Sequence, residues 1–200
     1  MTTQEQRQGK LRSADEVAAS VRSGDRIEFG FALGQPDLFD QALAARRQSL
    51  EGVTIRAALS LRPRQVIECD REQRHFINEN WHFSGYDRKQ AEQGLVSYVP
   101  FNFGEGPALY RRHLSVDLVV IKTAPMDAHG HFNFGASNAY TRAICDTAKR
   151  IVVETCPAMP VCYGVENTVH VSEIDAVIEG SDAPLPELPA ADLAPESRSS

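Results

Sequence analysis

The chain has 200 residues, 42% of them apolar and 24% charged, and a formal net charge of -6. That length suits one well-buried core, and the composition excludes the disordered and fibrous classes. The mild acidity and the scattered arginines argue against nucleic acid as a partner, and no apolar run approaches the roughly 20 residues of a membrane span.

The first ten residues are polar and lack the apolar centre of a signal peptide, so a cytoplasmic location is expected. Ser13-Ala14-Asp15-Glu16 is a capping box that opens a helix, and Gly24 is placed to close it after about three turns. Residues 26–32 alternate in the manner of a strand, and Gly34-Gln35-Pro36 stops them. Pro36 then opens a helix over 37–49, and 53–59 reads as the next strand.

Residues 116–124 and 150–155 are nearly continuous apolar runs of strand length, with a helix over 137–149 between them. Such runs suit strands covered on both faces, as in a parallel sheet. The turn-rich stretch 126–135 connects the first run to that helix, in the position where α/β proteins place ligands. The expected fold class is α/β, a mostly parallel sheet flanked by helices. One domain spans 1–182, followed by a Pro/Ser-rich flexible tail over 183–200 that reads as a natural terminus.

Cys69, Cys145, Cys156 and Cys162 form no C-x-x-C pair and are expected to be reduced. Gly30 with Gly34, and Gly104 with Gly106, each place two glycines in a loop, but neither completes a dinucleotide or P-loop motif. Asp127, His129 and His131 could be ligands on one turn, but the remaining histidines offer no matching signature. The reading adopted is a turn in which Asp127 caps backbone amides, with no metal. No G-x-S-x-G elbow is present, and Ser137 stands where a helix N-cap is expected. Glu105, between two glycines, is either an acid at the mouth of a turn or a carboxylate near the positive end of the helix that follows.

Three segments repeat one theme, a strand end followed by Gly, Asn, Phe or Pro: 29–36, 98–107 and 132–138. Together they would line a pocket with aromatic walls and amide or backbone donors, apt for a small acyl group or carboxylate. The candidate substrate-binding residues are Gly30, Phe31, Gly34, Gln35, Phe101, Asn102, Phe103, Gly104, Glu105, Asn133, Gly135, Ser137 and Asn138. The alternative is three ordinary turns with core phenylalanines.

Several segments carry a resemblance. Ser23-Gly24-Asp25-Arg26, Phe29 through the loop ending at Pro36, Tyr98-Val99-Pro100 with Pro107-Ala108-Leu109, and above all VDLVVIKTAPMDAHG at 116–130 continue into Gly135-Ala136-Ser137-Asn138. RIVVETCPAMP at 150–160 and His170-Val171-Ser172-Glu173 complete the series. Over roughly 11–187 the chain resembles the amino-terminal domain of the acetyl-CoA hydrolase/transferase family, the 4-hydroxybutyrate and butyrate CoA-transferase type of family I.

That resemblance implies a NagB/RpiA/CoA-transferase type of fold, coenzyme A as part of an acyl-CoA substrate, and transfer of CoA between carboxylic acids through a glutamyl-CoA intermediate. The family's catalytic glutamate and oxyanion loop lie in a carboxyl-terminal domain, so no catalytic residue is expected in this chain. A second CoA-transferase-like subunit would supply the glutamate in a hetero-oligomer. His131 and the run Asn102-Phe103-Gly104-Glu105 depart from the family pattern, which leaves the acyl group open. The competing readings are a CoA-ester hydrolase or decarboxylase on the same fold, or a non-catalytic scaffold subunit.

Overall fold

The computed structural model describes residues 2–187. Helix α1 (Thr3–Lys10) opens on a full capping box between Thr2 and Glu5, in the polar residues for which no element is expected from the sequence. Helix α2 (Ala14–Ala19) has the expected Ser13–Glu16 box but only six residues. It stops early because Arg46 donates to the carbonyls of Ala18 and Val21, satisfying the last turn from outside. Gly24, at φ +80°, instead shapes the turn into the first strand.

Strand β1 (Arg26–Phe31) runs into a 3-10 turn (Ala32–Gly34), and helix α3 (Leu38–Ala45) is separated from a second 3-10 turn (Arg47–Ser49), so the predicted 37–49 helix is split. Then follow β2 (Val53–Ala58), α4 (Gln65–Glu68), β3 (Phe76–Asn80), α5 (Gly85–Glu92) and β4 (Ser97–Tyr98). The second half holds α6 (Gly106–His113), β5 (Leu118–Thr123), β6 (His131–Asn133), α7 (Thr141–Thr147), β7 (Ile151–Thr155), β8 (Thr168–His170) and β9 (Ala176–Glu179).

Seven strands form one sheet in the order β4-β3-β2-β1-β5-β7-β9, and every pair in it is parallel. The chain lays strands outward from β1 through β4, then returns to the other side of β1 to begin again at β5. The switch point lies between β1 and β5, and the crevice outside their carboxyl ends is where such sheets take ligands.

Strand alternation divides the core. Ile27, Phe29, Ile55, Leu118, Val120 and Val152 pack with Val17, Phe39, Leu43 and Val66 on one face. Val119, Ile121, Val153 and Val177 pack with Tyr110, Ile144, Phe132 and Val169 on the other. The apolar runs in β5 and β7 are therefore buried on both faces, as a parallel sheet requires.

Two further expectations, for 126–135 and 137–149, change. The 126–135 stretch contains a strand, β6, paired antiparallel with β8. The predicted 137–149 helix is a 3-10 turn (Gly135–Ser137) followed by the shorter α7. Of the expected tail, residues 183–187 carry no helix or strand, and Leu185 packs against Ala124, Cys156 and Met159 across the carboxyl edge of the sheet; the part over 188–200 lies outside the described residues. All four cysteines are free, and no helix among the described residues is long and apolar enough to cross a membrane.

Candidate functional site

Immediately after β1 the backbone folds back on itself. A Cβ on Gly30 would stand 2.1 Å from the carbonyl oxygen of Gly34, so the loop closes only because residue 30 has no side chain. Ala32 (φ +48°) and Leu59 (φ +55°) both adopt left-handed backbone, one just beyond β1 and the other just beyond its neighbour β2. Each such residue costs on the order of 1–3 kcal/mol, and strain of this kind collects at functional sites.

The loop ending at Pro36 is tied to the other predicted segments. The Leu33 N–H donates to Ser137 Oγ at 3.0 Å, and Gln35 Nε2 donates to the Ala58 carbonyl at 2.8 Å. Asn133 Nδ2 donates to the Cys162 carbonyl at 3.0 Å, while its Oδ1 accepts from the N–H groups of Gly135 at 2.8 Å and Cys162 at 3.1 Å. Gly34, Gln35, Asn133, Gly135 and Ser137 are all buried; the Gln35 Nε2, both ends of the Asn133 amide and the Ser137 hydroxyl hold loops together, while Gln35 Oε1 is buried without a partner. Ser137 is thus not a helix N-cap, because its hydroxyl is taken by Leu33. Asn138 is half-buried, with its Oδ1 buried and without a partner.

The aromatic residues lie further out. The Phe31 and Phe103 rings meet edge-on with centroids 6.2 Å apart, and Phe103 and Phe101 lie 5.6 and 5.8 Å from Tyr140. Trp81 stands edge-on to Phe101 at 4.9 Å. Phe103 is 57% exposed, and Asn102, Gly104 and Glu105 beside it are exposed. Glu105 is the N-cap residue of α6 but makes no capping hydrogen bond with its side chain. The three predicted segments therefore meet at the carboxyl edge of the sheet, with Phe31, Phe101 and Phe103 on one wall.

Sequence reading missed Trp81, Tyr140 and the loop 59–64. The signal for the last was available: a chain leaving β2 beside β1 must emerge at the same edge. It also missed two charged clusters, one on each face of the sheet. On the α3 face, Asp37 accepts from Arg62 and Arg64 at 3.0 Å each and pairs with Lys122. Burial pushes the Asp37 carboxyl up, but Lys122, Arg64 and Arg62 together outweigh it and hold it below its ordinary value. Beside it Glu154, 1% exposed, accepts from the N–H groups of Asp37 (2.8 Å), Leu38 (3.2 Å) and Phe39 (3.0 Å). A carboxylate from β7 thus occupies the positive end of α3.

On the α6 face, Glu28, also 1% exposed, accepts from Tyr110 Oη at 2.8 Å and from Arg56 at 3.2 Å, and Arg56 reaches on to Glu79 at 2.8 Å. Burial pushes the Glu28 carboxyl up to about 7 despite the attraction of Arg56 and the bond from Tyr110. Apart from both clusters, Asp127 Oδ1 accepts from the N–H groups of His129 and His131 at 2.8 and 2.9 Å, forming the expected turn. Among the described residues no group of three or more His, Cys, Asp or Glu side chains is placed to hold a metal ion.

Residues 1–189 match the acetyl-CoA hydrolase/transferase N-terminal domain. Butyryl-CoA:acetate CoA-transferase of Anaerostipes caccae is 37% identical over 190 residues, covering 94% of this chain and 43% of that protein. Succinyl-CoA:cyclohexane-1-carboxylate CoA transferase of Geobacter metallireducens is 38% identical over 186 residues, covering 93% of this chain and 42% of that protein. The crystal structure of RipA from Yersinia pestis superposes with a TM-score of 0.87 at 26% identity, covering 98% of this chain and 47% of that one. The chain belongs to the acetyl-CoA hydrolase/transferase family as its N-terminal domain, and it spans less than half the length of these relatives.

Proposed function

We propose that this N-terminal domain is the acyl-binding half of a CoA-transferase and that a second subunit supplies the nucleophilic glutamate. The observation that carries the reading is the convergence of the three Gly/Phe/Asn loops at the carboxyl ends of β1 and β5, in a domain whose relatives carry CoA-transferase names over more than twice its length.

The proposed chemistry runs through the partner's carboxylate. It attacks the thioester carbonyl, the C–S bond breaks, and CoA leaves as thiolate while an acyl-glutamyl anhydride forms. The thiolate then attacks the glutamyl carbonyl, releasing the first carboxylate and leaving glutamyl-CoA thioester. An incoming carboxylate reverses the two steps and departs as the new acyl-CoA. In this scheme the chain described here holds the acyl group: Phe31, Phe101 and Phe103 bury its apolar part at about 25 cal/mol per Å², and Asn102, Asn138 and backbone groups of the Gly30–Gly34 and Gly104 loops orient its polar end. Glu105, exposed and flanked by glycines, lies beside that wall but lacks an oxyanion loop of its own.

The test is exchange of labelled acetate into acyl-CoA. The purified chain alone is expected to stay at background, and the chain reconstituted with its partner to turn over. Turnover by this chain alone would overturn the split assignment, and turnover by a complex whose partner glutamate has been replaced by alanine would overturn the covalent route.

A further inference from the structure

Glu28 sits where the transfer chemistry has no use for it: at the middle of β1, fully covered, on the face of the sheet beneath the aromatic wall. It begins a continuous chain of contacts. Tyr110 Oη donates to Glu28 at 2.8 Å, and Trp81 Nε1 donates to Tyr110 Oη at 3.0 Å. The Tyr110 ring stacks on Tyr140 with centroids 5.5 Å apart. Trp81 then meets Phe101, and Tyr140 meets Phe101 and Phe103. A cavity of about 10 Å³ opens in the middle of this group, lined by Glu28, Phe31, Ala58, Trp81, Tyr110 and Tyr140 among others, which is room for a single water beside the carboxyl group.

We propose that Glu28 is a positioning residue for the acyl wall: through Tyr110 and Trp81 its charge state sets how Phe101 and Phe103 are presented to the acyl group. The proposal rests on the acyl-binding reading for its functional consequence, but not for the linkage itself.

The groups facing Glu28 are Arg56 from β2, Glu79 behind it from β3, Tyr110 from α6 and Tyr140 at the start of α7. Arg56 stays charged and retains Glu79, while burial, and after it Glu28, push the Tyr110 phenol well up. Near neutrality Glu28 is thus the member of the group that changes charge. As the carboxylate it accepts strongly from Tyr110, which fixes the phenol hydrogen toward Glu28 and leaves its oxygen to accept from Trp81. As the neutral acid its own proton competes for a partner, and the directional order of that short relay is lost.

Trp81 is the one tryptophan of the sequence, so its fluorescence reads the end of the relay directly. With the 200-residue chain alone, emission followed from about pH 5.5 to about pH 8.5 is expected to show one step with a midpoint near 7. The step should vanish in Glu28→Gln, and also in Tyr110→Phe, which keeps Glu28 but cuts the relay. A step that survives unchanged in Glu28→Gln, or no step in the unmodified chain, would overturn the proposal. Should a variant fail to fold, ¹³C-glutamate labelling of the unmodified chain decides instead: one side-chain carboxyl titrating near 7 supports the linkage, and none above 6 refutes it. In the reconstituted complex, the ratio of kcat/KM for a longer over a shorter acyl-CoA should change across the same midpoint in the wild type and stay flat in Glu28→Gln. If the complex transfers no CoA, the transferase reading fails while the fluorescence and carboxyl titrations still stand.

Discussion

The two faces of the sheet bury a glutamate each, Glu154 on the α3 side and Glu28 on the α6 side, both 1% exposed, and they satisfy it in opposite ways. Glu154 accepts from three consecutive backbone N–H groups at the start of α3. Glu28 accepts only from side chains, a tyrosine and an arginine shared with Glu79. Backbone donors are fixed dipoles that no rotamer change can withdraw, so Glu154 acts as a clamp between β7, α3 and the Asp37–Lys122 cluster. Side-chain donors on a face packed with aromatic rings leave Glu28 expensive to keep charged. One acid holds the loop after β1 in place, and the other sits under its aromatic wall where its charge can change.

The largest expected effect tests the clamp. Glu154→Ala should destabilise the chain by about 3–5 kcal/mol, because three helix N–H groups lose their acceptor in a site water cannot fill. Urea denaturation followed by circular dichroism measures it, and a loss under about 1 kcal/mol would mean that α3 finds other acceptors.

Next in size is a pH effect on the other face. Glu28 is raised in the folded chain from 4.5 to about 7, so folding favours its protonated form. Its contribution to stability is complete below pH 4.5 and is lost as pH rises toward 7. Asp37 is shifted the other way, and its contribution is lost only as pH falls below its ordinary value of 3.8. Between pH 5 and pH 7.5 the wild type should therefore lose about 2.4 kcal/mol more stability than Glu28→Gln. Equal slopes in paired urea titrations would place the charge change elsewhere.

The smallest effect on stability, and the most telling for the site, belongs to the wall itself. Phe103 is exposed, so Phe103→Ala should cost within about 0.5 kcal/mol of stability while changing the order of acyl-CoA preference in the reconstituted complex. An unchanged preference would remove Phe103 from the acyl pocket.

Legibility in the sequence followed the range of the interactions. The capping boxes at Ser13–Glu16 and Thr2–Glu5 are local and readable alike, although only the first is read from the sequence, where the polar first ten residues are weighed solely against a signal peptide. The doubly covered strands β5 and β7 announced a parallel sheet through their unbroken apolar runs. Segment ends were less legible: α2 stops where Arg46, the residue that ends α3, reaches the carbonyls of Ala18 and Val21, and Ser137 stands in the 3-10 turn over Gly135–Ser137, where its hydroxyl answers Leu33.

What the sequence by itself determined was the class of fold and the three loops rich in Gly, Phe and Asn, since turn chemistry and strand periodicity are properties of near neighbours. Only the tertiary structure decided which of those residues stay available. Strand order brought loop 59–64 beside the Phe31 loop, buried Gln35, Asn133 and Ser137 inside the loops they tie, and left Phe103 at the surface. It also set Glu28 under Tyr110 and Glu154 under α3. A charged residue in a strand reads as solvent-facing until helices cover both faces of the sheet, and that covering is made by contacts from more than 80 residues away.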